Sequence, residues 1–349
     1  MSSNRVFYAV HGIGFKGIGI PGKVPLGGEA HGIQSIGLNT TFNLEQVFEL
    51  GQIEIYENVE NRPDVEITVE KALDDDTLVY HLATSGSTGA TLTARTTLQT
   101  IAVIPIYPDT YDSCSGDASN VVTCSGMYVS SLAYNFPVDG TATESVTLIG
   151  SDKVWSSDGT SHGLLYSFDN DDEPGSAGIQ RREDVVMGTG TAVDGNNSCT
   201  FPTEIPGIDA NGKNPLNAGG TAYDAHVQSV SCSVDLGRED LYELGRKGEY
   251  YKFVNFPVEV TTTIELTATD EGDSIDAAAE GTNVTDQTIK VVTLDNTQVY
   301  LGTKNKLGSI SQSGGDSSGG SVSVSLTYTG YNTFTVTNPS TDCDGHSHV

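Results

Sequence analysis

An internal repeat limits this chain to two copies of one folding unit. The segment QSIGLNTTFNLEQVFELGQIEIYENVENRP, which starts at Gln34, aligns without a gap with QSVSCSVDLGREDLYELGRKGEYYKFVNFP, which starts at Gln228. Further on, TLQTIAVI from Thr97 aligns with TDQTIKVV from Thr285, and a weaker pair of blocks, ESVTL and GSVSV, follows in the same order. Because chance seldom places several similar blocks in one order, we interpret the chain as a tandem duplication.

Each repeat shows the same succession of patterns. An alternating strand opens it, and the segments LEQVFELG and REDLYELG then have apolar residues three and four apart and end in glycine, which predicts one short α-helix per unit. The alternations DVEITVEKAL and VEVTTTIELTAT predict half-buried strands, and more strand patterns close each half. We therefore expect a mainly β fold of two tandem sandwich or barrel units, each with one short helix, plus a long loop insertion.

The predicted organisation has five parts. A glycine-rich arm at 1–33 precedes a first β unit at 34–155, an insertion at 156–224 precedes a second β unit at 225–338, and a flexible tail fills 339–349. Gly, Asp, Asn, Ser and Pro dominate the insertion with little periodicity. Structureless loops of that length are uncommon inside a compact domain, and a partner often orders them.

The chain is strongly acidic, with a formal net charge of −29 from 46 Asp and Glu against 17 Lys and Arg. Such a surface repels a phosphate backbone, which argues against a protein that grips nucleic acid. No segment is long and apolar enough to span a membrane, and no secretory signal is visible, so we expect folding in a cytosol. The five cysteines match no zinc pattern, and we expect Cys114 and Cys124 to be reduced rather than paired.

Two glycine patterns near the N-terminus approach nucleotide-binding motifs. The segment GIGIPGKV at 17–24 fits a phosphate loop, except that Val24 stands where Ser or Thr should bind magnesium, and residues 12–17 fit G-x-G-x-x-G. Both motifs need a helix directly after the loop, which the prolines and glycines of VPLGGEAHG disfavour. We therefore interpret this region as an arm rather than a nucleotide site.

Other candidate sites have simpler interpretations. The acidic clusters at 74–76 and 169–173 match no EF-hand loop and are expected to be solvated turn residues. Cys343, His346 and His348 could bind zinc, but chain termini are usually frayed. The sequence shows no H-E-x-x-H motif and no convincing Cys–His pair, and no carboxylate pair stands out for glycoside hydrolysis. We expect no enzyme and no catalytic, cofactor-binding or metal-binding residues.

Four blocks carry a family resemblance: HGIQSIGLNTTFNLEQVFELGQIEIYENVENRPDVEITVEKALD, ESVTLIGSDKVW, DLGREDLYELGRKGEYYKFVNFPVEV and LGTKNKLGSISQSGGD. They resemble phage tail tube (major tail) proteins, over about 31–155 and 225–338. The resemblance implies a β unit with one helix, six of which form a ring around a hollow. A duplicated chain would then form a trimeric, pseudo-hexameric ring.

The resemblance also implies where the protein acts and with what. Rings would self-assemble into the tail tube of the virion, stacking through arms and long loops, after synthesis in the host cytoplasm. Expected partners are other copies of the chain, the tail terminator, the baseplate or tip, the tape measure protein and the genomic DNA, which would pass through the lumen without specific binding. The insertion is expected on the tube exterior, and no membrane is involved.

The acidic charge agrees with a conduit, because carboxylates in a lumen repel phosphate. By strand alternation, we expect one face of VEITVE and of VEVTTTIE to contribute some of these acids. Two alternatives remain: another virion β-protein, such as a capsid decoration or tail-completion subunit, and a carbohydrate-binding β-sandwich. A single Trp provides little aromatic surface for the second alternative.

Overall fold

The computed structural model describes residues 6, 11–17, 28–74, 76–84, 92, 99–108, 118–157, 178–186, 226–245, 249–267, 286–295, 297–314 and 321–337. Nearly all regular structure in them is β, which confirms the expected mainly β class. The strands are β1 (Gly14–Gly17), β2 (Gly28–Glu29), β3 (Ile33–Thr41), β4 (Leu44–Phe48), β5 (Ile55–Glu60), β6 (Asp64–Ala72), β7 (Thr100–Ile106), β8 (Asn120–Pro137), β9 (Thr143–Gly150), β10 (Asp152–Ser156), β11 (His226–Asp235), β12 (Arg238–Leu241), β13 (Tyr251–Val254), β14 (Glu259–Thr267), β15 (Lys290–Val292), β16 (Gln298–Tyr300), β17 (Lys306–Gly314), β18 (Val322–Tyr331) and β19 (Thr335–Thr337). An α-helix, α1, spans Val79–Ala83, and a 3-10 helix spans Arg182–Asp184.

Eight strands form one antiparallel sheet in the order β3-β6-β9-β8-β11-β14-β18-β17. The long strand β8 belongs to two layers, because its C-terminal part pairs with β9 and β11 while its N-terminal part pairs with β7 and β10. One face of the eight-stranded sheet carries the buried residues of the alternating strands, such as Val65, Ile67 and Val69 of β6. We call this sheet the main sheet.

A second layer covers the apolar face of the main sheet. Strands β7, β1 and β2 lie in the first half of the chain, and the three-stranded sheet β15-β16-β19 lies in the second. Ile104 of β7 and Val291 of β15 belong to the same buried cluster as Val69 and Ile264 of the main sheet. Each half is therefore a sandwich with an apolar core, as the alternating patterns predict.

The helix α1 depends on a buried carboxylate from a distant strand. Glu144 accepts hydrogen bonds from the backbone amides of Val79 and Tyr80, at 2.7 and 3.1 Å, and from the Tyr134 hydroxyl, at 2.7 Å. Burial raises the pKa of Glu144, and these three donors oppose that rise. The carboxylate thus satisfies amides at a helix start that have no partner within the helix.

The helices predicted at 44–51 and 238–245 are wrong. Both segments form β-hairpins instead, β4 with β5 and β12 with β13. The glycines Gly51 and Gly245 do adopt the expected left-handed backbone, with φ of +93° and +88°, but they lie in the hairpin loops. Apolar spacing of three and four does not exclude a hairpin, because the segment after the glycine supplies a pairing strand. No described residue of the second half is α-helical.

The two halves of the main sheet share details beyond strand order. One row of paired residues crosses the first half at Ile36, Val69, Val146 and Leu132, and the corresponding row crosses the second half at Val230, Ile264, Leu326 and Ile310. Register shifts interrupt the same edges in both halves, before Ser35 and Ser229 and before Ser131 and Ser309.

Side-chain contacts repeat as well. The Ser35 hydroxyl donates to Glu70 at 3.2 Å, and the Ser229 hydroxyl donates to Glu265 at 2.9 Å. The tandem duplication stays a prediction, which these matched features support.

The N-terminal glycine-rich segment is partly built into the fold. Gly14–Gly17 pair with β7, and Ile13 and Phe15 are buried, although a free arm was expected for 1–33. Apolar side chains such as Phe15 explain the difference, because burial against β7 removes them from water. The predicted domain limits remain predictions.

The described part of the insertion connects the two halves. The backbone amide of Gln180 donates to the Leu73 carbonyl at 2.8 Å, and the backbone amide of Val186 donates to the Val292 carbonyl at 2.9 Å. A second contact between halves joins His81 of α1 to the Val336 carbonyl, at 3.2 Å. Segment 178–186 therefore packs between the sandwiches, while the other residues of 158–225 lie outside the described residues.

Candidate assembly surface

The face of the main sheet opposite its core is lined by small hydroxyl side chains and carboxylates. Ser, Thr and Asn occupy most of the alternate positions on β3, β8, β11, β14, β17 and β18. Exposed carboxylates on this face are those of Asp64, Glu66, Glu70, Asp235, Glu259 and Glu265. Among the described strand residues of this face, Lys306 is the only Lys or Arg. We call this surface the acidic face.

Both edges of the main sheet are open among the described residues. Strand β3 pairs only with β6, and β17 pairs only with β18. Leu38 of β3 is 37% exposed at such an edge, although its equivalent in the repeat, Cys232, is fully buried. Unpaired strand edges present free amides and carbonyls to any complementary strand.

The middle of the main sheet shows how two halves join. Strand β8 ends the first half and β11 begins the second, and their backbones pair from Ser131–Asp235 to Pro137–Ser229. Tyr134 lies opposite Cys232 in this junction, and both side chains are buried. The junction is thus a continuous antiparallel pairing of β8 and β11 in which the side chains on the apolar face are buried.

The hairpin β12–β13 docks on the first half beside this junction. Arg238 places its guanidinium 4.8 Å from the centre of the Tyr128 ring and donates to the Val129 carbonyl at 2.5 Å. The Tyr251 ring meets the Tyr128 ring edge to face, with centroids 6.2 Å apart. Burial lowers the pKa of Arg238 to about 10, and the guanidinium stays charged at neutral pH.

A polar cluster completes the dock. Glu249 accepts a hydrogen bond from the Ser151 hydroxyl at 2.5 Å and lies 3.9 Å from Arg62. The buried ammonium group of Lys252 contacts Asp240 at 2.6 Å and Glu249 at 3.8 Å. This hairpin is therefore held by an aromatic contact and a network of charges.

The equivalent hairpin β4–β5 has the same pairing but no dock. Leu44 pairs with Glu60, as Arg238 pairs with Val254, yet all residues of β4 and β5 are exposed. Its exposed apolar side chains are Leu44, Val47, Phe48, Leu50, Ile53, Ile55, Tyr56 and Val59. An exposed apolar cluster of this kind marks an interaction surface.

Other sequence candidates among the described residues lie in a strand or are buried. Gly14 and Gly17 lie in β1, a strand rather than a phosphate loop. Asp74 is buried and forms an ion pair with Lys71 at 2.5 Å, so the expectation of a solvated turn acid is wrong for it. Cys124 is buried, which raises the pKa of its thiol to about 11.

Several candidates lie outside the described residues: Gly22, Lys23, Asp75, Cys114, the cluster at 169–173, and Cys343, His346 and His348. The described residues include no group of acids, histidines and cysteines arranged for a metal ion. They also include no helix long and apolar enough to cross a membrane.

A comparison with protein families finds a match in the first half of the chain. Residues 26–100 match the Phi812 tail tube protein family. The match includes β3, the exposed β4–β5 hairpin and β6. It confirms the resemblance to tail tube proteins over these residues, and that family is structural rather than enzymatic.

Among solved structures, the chain is similar to the tube-terminating cap of the anti-feeding prophage, with 12% identity and a TM-score of 0.33 over 45% of this chain and 95% of that one. It is also similar to a chain of the six-fold symmetrised anti-feeding prophage baseplate, with 13% identity and a TM-score of 0.32 over 44% and 97%. Among curated proteins, none matches the chain. The tail tube match supports a structural component of a phage tail.

Proposed function

We propose that three copies of this chain close into a ring and that the rings stack into the hollow tube of a phage tail. The observation that carries the proposal is the main sheet, in which two halves of the same strand order join through β8 and β11 while β3 and β17 stay open. The next chain can repeat the internal junction at these edges. Such head-to-tail contacts form rings when the rotation closes.

The register of this contact follows from the internal junction. Leu132 of β8 lies opposite Val234 of β11, and the equivalent positions are Ile310 of β17 and Thr40 of β3. Ile310 of one chain would then lie opposite Thr40 of the next. Leu38, half-exposed in the single chain, would be covered as its equivalent Cys232 is.

The acidic face would line the lumen. Its exposed carboxylates repel phosphate and the face carries few cations to hold it, so DNA slides past without binding. The apolar face of the main sheet is covered by the second layer, which leaves the acidic face as the surface that a closed sheet turns inward. The N-terminal segment and the insertion remain the expected contacts between rings and with other tail proteins.

The proposal is tested by native mass spectrometry of the purified chain together with end-on electron microscopy. We expect hollow rings with sixfold appearance whose mass equals three chains, and no retardation of duplex DNA at low salt. Compact particles without a channel under all assembly conditions would exclude the tube and favour a capsid decoration protein.

A further inference from the structure

The two hairpins of the chain carry opposite chemistry at equivalent positions, although their backbones share one register over four residue pairs. Glu249 of the docked hairpin corresponds to Ile55 of the exposed hairpin, through the common offset of 194 residues that also relates Gly51 to Gly245. Tyr251 likewise corresponds to Glu57. The exposed hairpin therefore has apolar Ile55 where the docked hairpin has the carboxylate of Glu249, and charged Glu57 where the docked hairpin has the aromatic ring of Tyr251.

The surfaces that would receive the hairpins differ in the complementary sense. The dock of Glu249 consists of Arg62 and Ser151 in the first half. The offset places Phe256 at the position of Arg62. Val65 pairs with Gly150 in the first half, and the equivalent Val260 pairs with Gly330 in the second. Tyr331, which follows Gly330, therefore takes the position of Ser151, which follows Gly150.

Both aromatic residues are open in the single chain. Phe256 is 48% exposed and Tyr331 is 56% exposed. Apolar Ile55 of one hairpin therefore has an apolar receiving surface in the second half, just as Glu249 has a polar one in the first.

The second contact changes in the same way. Tyr251 meets the Tyr128 ring in the docked hairpin. Val129 and Leu307 hold equivalent places in the strand pairings of the two halves. Lys306, which precedes Leu307, therefore takes the position of Tyr128, which precedes Val129. Glu57 would therefore meet Lys306, an ion pair in place of an aromatic pair, and Lys306 is 60% exposed in its contact with Asp286.

From these matched exchanges we infer that the β4–β5 hairpin docks on the second half of a neighbouring copy of this chain, with Ile55 against Phe256 and Tyr331 and with Glu57 beside Lys306. The inference rests on the proposed ring and specifies its contact. The geometry excludes the hairpin's own second half as the dock, because β3 and β17 lie at opposite edges of the main sheet. The occupant is a second copy, because this chain carries both complementary surfaces.

The exchange also makes the two junctions of a ring chemically distinct. Placing Ile55 against Arg62 would bury a guanidinium without a carboxylate, and placing Glu249 against Phe256 would bury a carboxylate against an aromatic ring. Unpaired buried charge is strongly unfavourable. Each hairpin is therefore specific for its own dock, which opposes hairpin exchange between chains.

The test introduces the charged pair of the docked hairpin, Glu249 with Arg62, at the equivalent positions 55 and 256 of the proposed contact between chains. We expect Ile55→Glu alone and Phe256→Arg alone to raise the concentration needed for ring formation by about tenfold or more, since each buries an unpaired charge. The double variant Ile55→Glu with Phe256→Arg recreates the Glu249–Arg62 pair and should return that concentration to within about threefold of the original. Mass photometry over a dilution series measures it.

A matched control is Leu294→Glu, because Leu294 lies between β15 and β16, outside both hairpins and both open edges, and its 38% exposure is close to the 43% of Ile55. This control should assemble like the original chain, and all variants should keep the original melting temperature. If the original chain forms trimeric rings and Ile55→Glu forms them equally well, the hairpin contact is wrong and the ring survives. If the double variant assembles no better than the single variants, the pairing of these two positions is wrong. If the original chain forms no rings, the proposed function fails first.

Discussion

The two hairpins of this protein share one backbone design but have different surroundings. Hairpin β12–β13 lies on the first half of its own chain, where Arg238 stacks on Tyr128 and Lys252 is buried in a charge network. Hairpin β4–β5 pairs its strands in the same register but is exposed throughout. The contrast indicates that the single chain contains one satisfied junction and one open junction.

Removing each hairpin separately should give the largest difference. Replacing 45–59 by two glycines should abolish rings while changing the melting temperature by less than about 2 °C, because those residues make few contacts in the single chain. Replacing 239–253 in the same way should lower the melting temperature by about 5 °C or more, because it removes buried Lys252. Calorimetry and native mass spectrometry measure both. Equal thermal effects would contradict the contrast.

Cysteine pairs sharpen the comparison at the sheet edges. Thr40→Cys with Ile310→Cys should crosslink chains into covalent trimers under mild oxidation, because paired residues of adjacent antiparallel strands approach within disulfide range. The one-residue shift Asn39→Cys with Ile310→Cys should not, because it places the thiols on opposite faces. The buried Cys124 thiol, with its pKa raised to about 11, contributes little background at pH 8. Crosslinking of both pairs alike on non-reducing gels would refute the register.

Truncating equivalent residues at the hairpin bases should affect stability at one hairpin only. Arg238→Ala should lower the free energy of unfolding by about 1–3 kcal/mol, because it removes the donor to the Val129 carbonyl and the cation over Tyr128. Leu44→Ala, at the equivalent exposed position, should change it by less than about 0.5 kcal/mol. Urea unfolding of the dissociated chain distinguishes them, and a cost for Leu44→Ala as large as that for Arg238→Ala would show that the open hairpin is already packed.

Charge reversal at the proposed ion pair should have the smallest effect. Glu57→Lys or Lys306→Glu alone should weaken assembly by about 0.2–1 kcal/mol per junction, and the combined reversal should restore it. Sedimentation at low and high salt measures this effect, which salt should diminish. Single variants that assemble normally at low salt would remove Glu57 and Lys306 from the contact.

Much of the sheet could be predicted from sequence, because alternation directly reports a strand with one buried face. DVEITVEKAL and VEVTTTIELTAT became β6 and β14, and Glu66 and Glu70 lie on one face as expected. Strand β8 was missed, because a register shift near Ser130 breaks its alternation and its two parts pair in different layers. The hairpins were predicted as helices, because Leu44, Val47 and Phe48 are spaced three and four apart.

The docking contacts could not be predicted before the strand pairings were known. Arg62 and Glu249 lie far apart in sequence, and neither has a local pattern that points to the other. The signal was nevertheless present in the repeat, at positions where otherwise similar segments differ in polarity, such as Ile55 and Glu249. Differences between aligned repeats become informative once pairing shows what each position contacts.

Cryo-electron microscopy of the assembled particle tests the central claim most directly. We predict a ring of three chains in which β17 of each chain pairs with β3 of the next, Ile310 opposite Thr40, and the β4–β5 hairpin covers Phe256 of the neighbour. A ring of six chains, or a particle in which the β3 and β17 edges stay unpaired, would contradict the account.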